Sequence, residues 1–111
     1  MIEISRSNCA ITIKGHAGYA PRGQDIVCAG ISTLVQTLVQ SLEDLCADEI
    51  SYHLKSGWVE IKHGNLSKAA QLLVDSFFIG VYMIADQYPD HVKVNKNTGA
   101  SIEPPTKKAM D

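Results

Sequence analysis

The sequence predicts an α+β domain in which two long amphipathic helices cover a mixed, mainly antiparallel sheet of about five strands, in the order ββαββαβ. Three observations lead there. Short segments with two-residue alternation occur in pairs, the links within each pair are short enough for hairpins, and two long segments repeat apolar residues at three- and four-residue steps.

Residues 2–7 and 9–16 read as the first pair of strands, because Ile2 and Ile4 alternate with Glu3 and Ser5, and Ile11 and Ile13 with Thr12 and Lys14. The Ser7-Asn8 link makes them a hairpin. Residues 17–24, AGYAPRGQ, hold Gly18, Pro21 and Gly23 without any period, so they form a loop that is expected to be mobile. From Asp25 to about Cys46 the pattern is helical: Val27, Ile31, Leu34, Leu38, Leu42 and Leu45 share one stripe, and Asp25 is placed to cap it. Cys28, Val35, Val39 and Cys46 make a second stripe beside the first. That face is wider than one sheet contact needs, so part of it is expected to meet another subunit.

EISYHLK at 49–55 and WVEIKH at 58–63 form a second hairpin on Ser56-Gly57, a dipeptide suited to a tight turn with positive φ. Residues 66–88 then form a second helix, with Ala70, Leu73, Phe77, Val81, Ile84 and Tyr88 inward. Leu72, Ile79 and Met83 extend its apolar surface almost all round, the pattern of a buried helix. Pro89 stops it, and HVKV at 91–94 is a last strand. The domain is placed at 1–96. The polar residues 97–111, with Pro104-Pro105, are expected to be a flexible tail.

The balance of 12 acids against 10 bases gives a formal charge of −2, without the basic excess that phosphate backbones demand, so no nucleic-acid partner is expected. The opening MIEISRSN alternates instead of running apolar. Neither a signal peptide nor a membrane anchor is expected, which places the protein in the cytoplasm. Three cysteines, Cys9, Cys28 and Cys46, with no Cys-x-x-Cys spacing, point to free thiols. His53, His63 and His91 match no ligand spacing and read as solvated surface residues, so no metal is expected. Gly15, Gly18 and Gly23 do not link a strand to a helix in the dinucleotide pattern, and no cofactor is expected either.

The stretch GHAGYAPRGQDIVCAGIS, residues 15–32, carries the chemistry. With Asp25 as cap, Cys28 is the third helical residue, where unpaired N–H groups and the helix dipole favour a thiolate nucleophile. The same N–H groups would hold an oxyanion. His16, at a strand end, would act as general base and then general acid. The competing reading makes Cys28 one more small packed residue and His16 a strand-end histidine bonded to a carbonyl, and periodicity alone favours it. Asp25 is explained by capping before any orienting role. Ser32, one turn after Cys28, either bonds the thiolate or substrate or bonds back to its own helix. Gly30, costly inside a helix, marks a close approach to that face.

GHA at 15–17 together with DIVCAGIS at 25–32 resembles the two-part signature of the ribosomal-processing cysteine proteases, and the likeness covers the whole chain in length and element order. The resemblance implies a catalytic pair of His16 and Cys28, with Asp25 and Ser32 at accompanying positions. It makes the loop with Gly18, Tyr19 and Gly23 a substrate loop. It implies removal of a short N-terminal extension, ending in an aromatic pair, from a large-subunit ribosomal protein, and a homodimer. Prophage-borne relatives trim capsid or scaffold protein instead. The alternative function is a non-catalytic module that binds its partner in ribosome or capsid assembly.

Overall fold

The computed structural model describes residues 1–95. Its elements are β1 (Ile2–Arg6), β2 (Ala10–Lys14), α1 (Ile26–Leu45), β3 (Ile50–Lys55), β4 (Trp58–His63), α2 (Lys68–Gln87) and β5 (Val92–Val94), the expected order with ends shifted by one or two residues. The tail expected from residue 97 lies outside the described residues.

The sheet runs β3-β4-β2-β1-β5. Every pairing is antiparallel except that of β5 with β1, which is parallel because α2 carries the chain back across the sheet. Register follows the apolar alternation: Ile4 faces Ile13 and Ile11 faces Ile61, which puts all the buried sheet residues on one face. Both helices lie on that face. Gly30 sets their separation, since a Cβ there would sit 3.1 Å from Ile84 Cδ1, and Gly80 does the same against Leu34 Cδ2 at 2.9 Å. Close approach is thus the reason for the helical glycine. By length and composition each helix would span a bilayer, but each lays its apolar stripe on the sheet and on its neighbour.

In the second stripe of α1, Val35 and Val39 are buried, because α1 touches both the sheet and α2, while Cys28 and Cys46 are partly exposed. One expectation about the helices is corrected: α2 is not buried all round. Leu72, Ile79 and Met83 are 70%, 39% and 46% exposed, while Val74 and Phe78 fill the core beside Phe77. A two-layer fold can cover a helix only from the sheet side and from one neighbour. Arg6 closes the far end of the core, its guanidinium 4.9 Å from the Phe78 ring centre and 3.2 Å from Asp75.

Candidate active site

The site is organised by Asp25, whose extended backbone ends the loop and starts α1. Its Oδ1 accepts from the N–H groups of Val27 and Cys28 at 3.0 and 2.9 Å, which closes the first helical turn. Its Oδ2 accepts from Tyr19 and Ala20 at 2.9 and 3.3 Å, which folds the loop back on the helix. The Cys28 N–H is the main cause that holds this carboxyl below its ordinary value of 3.8, with desolvation opposing and the other three amides adding to the effect.

Cys28 is the third residue of α1 and is partly exposed. Its Sγ receives the N–H of buried Ala17 at 3.3 Å. The Ala17 carbonyl in turn accepts from His91 Nδ1 at 2.8 Å. His16 follows Gly15, whose φ of +96° turns the chain out of β2 and whose N–H bonds the Gly57 carbonyl at 2.9 Å. The imidazole lies against that second hairpin turn: a Cβ on Gly57 would fall 2.7 Å from His16 Nε2. The His16 carbonyl accepts from the Met1 amino group at 2.6 Å.

His16 and Cys28 line one cleft of about 750 Å³, together with Gly18, Gly23, Asp25 and Ser32. The opposite wall is the β3–β4 hairpin from Leu54 to Val59, and Ile13, Ile31 and Val35 reach the lining from the core. An imidazole and a thiol on a largely apolar, one-sided groove suit covalent chemistry on an extended chain. Among the described residues no group of three His, Cys, Asp or Glu side chains is placed to hold a metal ion.

The structure gathers most of the residues singled out from sequence, with four differences. First, the Val27, Cys28 and Ala29 amides at the start of α1 are not free for an oxyanion, because the Asp25 side chain occupies those of Val27 and Cys28 and its carbonyl takes that of Ala29 at 3.0 Å. Second, Tyr19 does not enter the cleft. It points its ring edge-on to Tyr88 and His91, with centroids at 5.3 and 5.4 Å, and the loop is anchored there as well as at Asp25. Third, Ser32 faces the cleft and does not bond back to its helix; its neighbour Thr33 does that, at 2.8 Å to Ala29. Fourth, the three other histidines are not simply solvated: His53 stacks on Trp58, His63 bonds the Gly64 carbonyl at 2.7 Å, and His91 holds the loop.

Sequence reasoning missed the hairpin wall altogether, although the Gly57 turn was visible. A turn's position over a distant histidine has no local signal.

The family described as Cysteine protease Prp matches residues 1–93. The chain belongs to the cysteine protease Prp family. Its members are cysteine proteases, and so is this chain. The ribosomal processing cysteine protease Prp of Mycoplasma genitalium is 31% identical over 100 residues, covering 88% of this chain and 98% of the relative. The crystal structure of the ribosomal processing protease Prp from S. aureus, in complex with a covalently linked product peptide, superposes with a TM-score of 0.79. At 21% identity over 86% of this chain and 97% of that one, it shows a shared fold. The crystal structure of SMU.848 from Streptococcus mutans gives a TM-score of 0.69 at 29% identity, covering 85% of this chain and 90% of that one. A Prp fold therefore accounts for the mixed sheet and both helices.

Proposed function

We propose that this cysteine protease removes a short N-terminal extension from a protein of the large ribosomal subunit, with Cys28 as nucleophile and His16 as proton carrier. The observation that carries this reading is that Cys28, alone of the three cysteines, lines the cleft, and His16 lines it too. Cys9 sits exposed in the β1–β2 turn, and Cys46 packs partly against the core at the end of α1. The names of the Mycoplasma and S. aureus relatives support the ribosomal substrate class.

In the first step the Cys28 thiolate bonds the scissile carbonyl carbon and the carbonyl π pair moves to oxygen. The C–N bond then breaks as the leaving amine takes a proton from the His16 imidazolium, leaving a thioester. Water, giving its proton to His16, releases the new carboxylate and the free thiol. Ile31, Val35, Leu54, Val59 and Trp58 give the groove apolar surface for the aromatic pair before the scissile bond. The enzyme works as a homodimer in the cytoplasm.

Mass spectrometry of the protein mixed with a ribosomal precursor and, separately, with a capsid precursor tests the reading. The ribosomal precursor is expected to lose its extension. Cys28→Ala abolishes the cleavage, whereas Cys9→Ala and Cys46→Ala retain it. Cleavage that survives Cys28→Ala removes this thiol from the mechanism; a precursor bound but unchanged in length makes the chain a binding module; cleavage of the capsid precursor alone changes the substrate. Sedimentation reads the homodimer directly.

A further inference from the structure

The occupied helix start raises the question of which group stabilises the oxyanion. With the Val27, Cys28 and Ala29 amides taken by Asp25, the loop facing Cys28 is the nearest remaining source of backbone donors, since its Ala17 N–H already reaches Sγ. Two consecutive loop peptides are candidates. The first gives its N–H, that of Ala17, to Sγ. The second is the peptide between Ala17 and Gly18. Its carbonyl accepts from His91 Nδ1, and since a carbonyl only accepts, Nδ1 carries the proton.

No peptide in the described residues is cis, so the C=O and N–H of this unit point to opposite edges. The Gly18 N–H therefore points away from His91. Gly18 lines the cleft at φ +67°, nothing lies within 4 Å of where a Cβ on it would sit, and its N–H has no acceptor among the described residues. His91 is itself fixed on both sides: its N–H bonds the Tyr88 carbonyl at 2.9 Å and its carbonyl accepts from Ile2 at 2.9 Å. The Tyr19 edge packs against the ring. A hydrogen bond to the carbonyl polarises the amide and strengthens the N–H on its far edge.

We infer that His91 is a positioning residue for acyl transfer at Cys28: it fixes the Ala17–Gly18 peptide so that the Gly18 N–H receives the oxyanion. The inference rests on Cys28 being the nucleophile. It needs no movement of the loop when substrate binds, because the donor is already held from behind.

Two reactions of one thiol separate this role from a general effect on the loop. With p-nitrophenyl acetate, the Cys28–carbon bond forms, the carbonyl pair moves to oxygen, and collapse expels p-nitrophenolate; with iodoacetamide, the thiolate displaces iodide and no oxyanion arises. Both rates are read on the full chain in wild type, His91→Leu and His91→Asn, with circular dichroism as the check on folding. His91→Leu is expected to slow acylation about tenfold or more while alkylation stays within about twofold, as loss of support for an oxyanion donor requires. His91→Asn, whose amide N–H can occupy the place of Nδ1, recovers most of the acylation. Parallel falls in both reactions, unchanged rates in His91→Leu, or no recovery in His91→Asn overturn the inference. If Cys28→Ala leaves wild-type ester turnover unchanged, the nucleophile assignment itself fails, a result distinct from those three.

Discussion

The starts of the two helices solve the same problem with different side chains. Both helices have 20 residues, both lack an acid in the first turn, and both begin at a capping residue in extended conformation. At α2 the cap is Ser67, whose hydroxyl accepts from Ala70 N–H at 3.1 Å and donates to Asp48 at 2.6 Å, while its own N–H bonds Asp48 at 2.7 Å. The acid there is a brace from the linker before β3. At α1 the acid is the cap itself, and it has an oxygen to spare for the loop. The third helical residue differs accordingly: Ala70 is buried in the core, whereas Cys28 opens on a cleft. The Asp25 carboxylate accepts from amides of both its helix and the loop before it, whereas the Ser67 hydroxyl accepts from its helix alone and reaches the earlier segment by donating to Asp48. That difference in acceptor number makes one helix start a site and the other a packing joint.

The sharpest way to break the comparison is to remove each cap. Asp25→Ala should lower kcat/KM on an extension peptide about a hundredfold, because displacement of the loop misplaces the groups around Cys28. Ser67→Ala should leave cleavage within about twofold and cost about 1 kcal/mol in urea unfolding. Equal losses of cleavage would show that the loop does not depend on Asp25 in particular.

The next effect sits on the opposite wall. Gly57→Ala places a methyl 2.7 Å from His16 Nε2 at a φ of +76°. Cleavage should fall about tenfold through the displaced imidazole, with about 1 kcal/mol of stability lost to backbone strain. Normal cleavage in this variant would mean that the ring does not need the hairpin.

The smallest effect is on pH. Asp25 and Asp48 are both held below the ordinary 3.8, Asp25 chiefly by the Cys28 amide and Asp48 chiefly by the Ser67 hydroxyl. A carboxyl depressed in the folded state adds stability above its unfolded value and loses it as pH falls through the folded one. Thermal melting is therefore expected to drop progressively below the 3.8 of the free carboxyl, and less steeply in Asp48→Ala. A melt of wild type that stays flat through this range would contradict the roles given to both carboxylates.

The element order, the mixed sheet and the capping role of Asp25 were legible because each rests on local spacing: alternation for strands, three- and four-residue steps for helices, an acid before an apolar run. Leu72, Ile79 and Met83 misled, since periodicity tells which residues are apolar and not how many layers the fold has to cover them. Tyr19 shows a related limit of local pattern. The family resemblance put it in a substrate loop, and Tyr88 and His91, some seventy residues on in the chain, hold its ring outside the cleft lining. His91 had no spacing to mark it, because its partner is a backbone carbonyl that every residue possesses.

By itself the sequence determined two amphipathic helices on a five-stranded sheet, a free thiol in the first turn of one of them, and a glycine-bearing loop leading from an imidazole to that turn. These follow from interactions between residues a few positions apart. Only the tertiary structure decided which amides face the sulfur, which wall the imidazole leans on, and which histidine holds the loop from behind. Hydrogen bonds between distant backbone groups depend on where folding brings them, and side-chain chemistry carries no trace of that in advance.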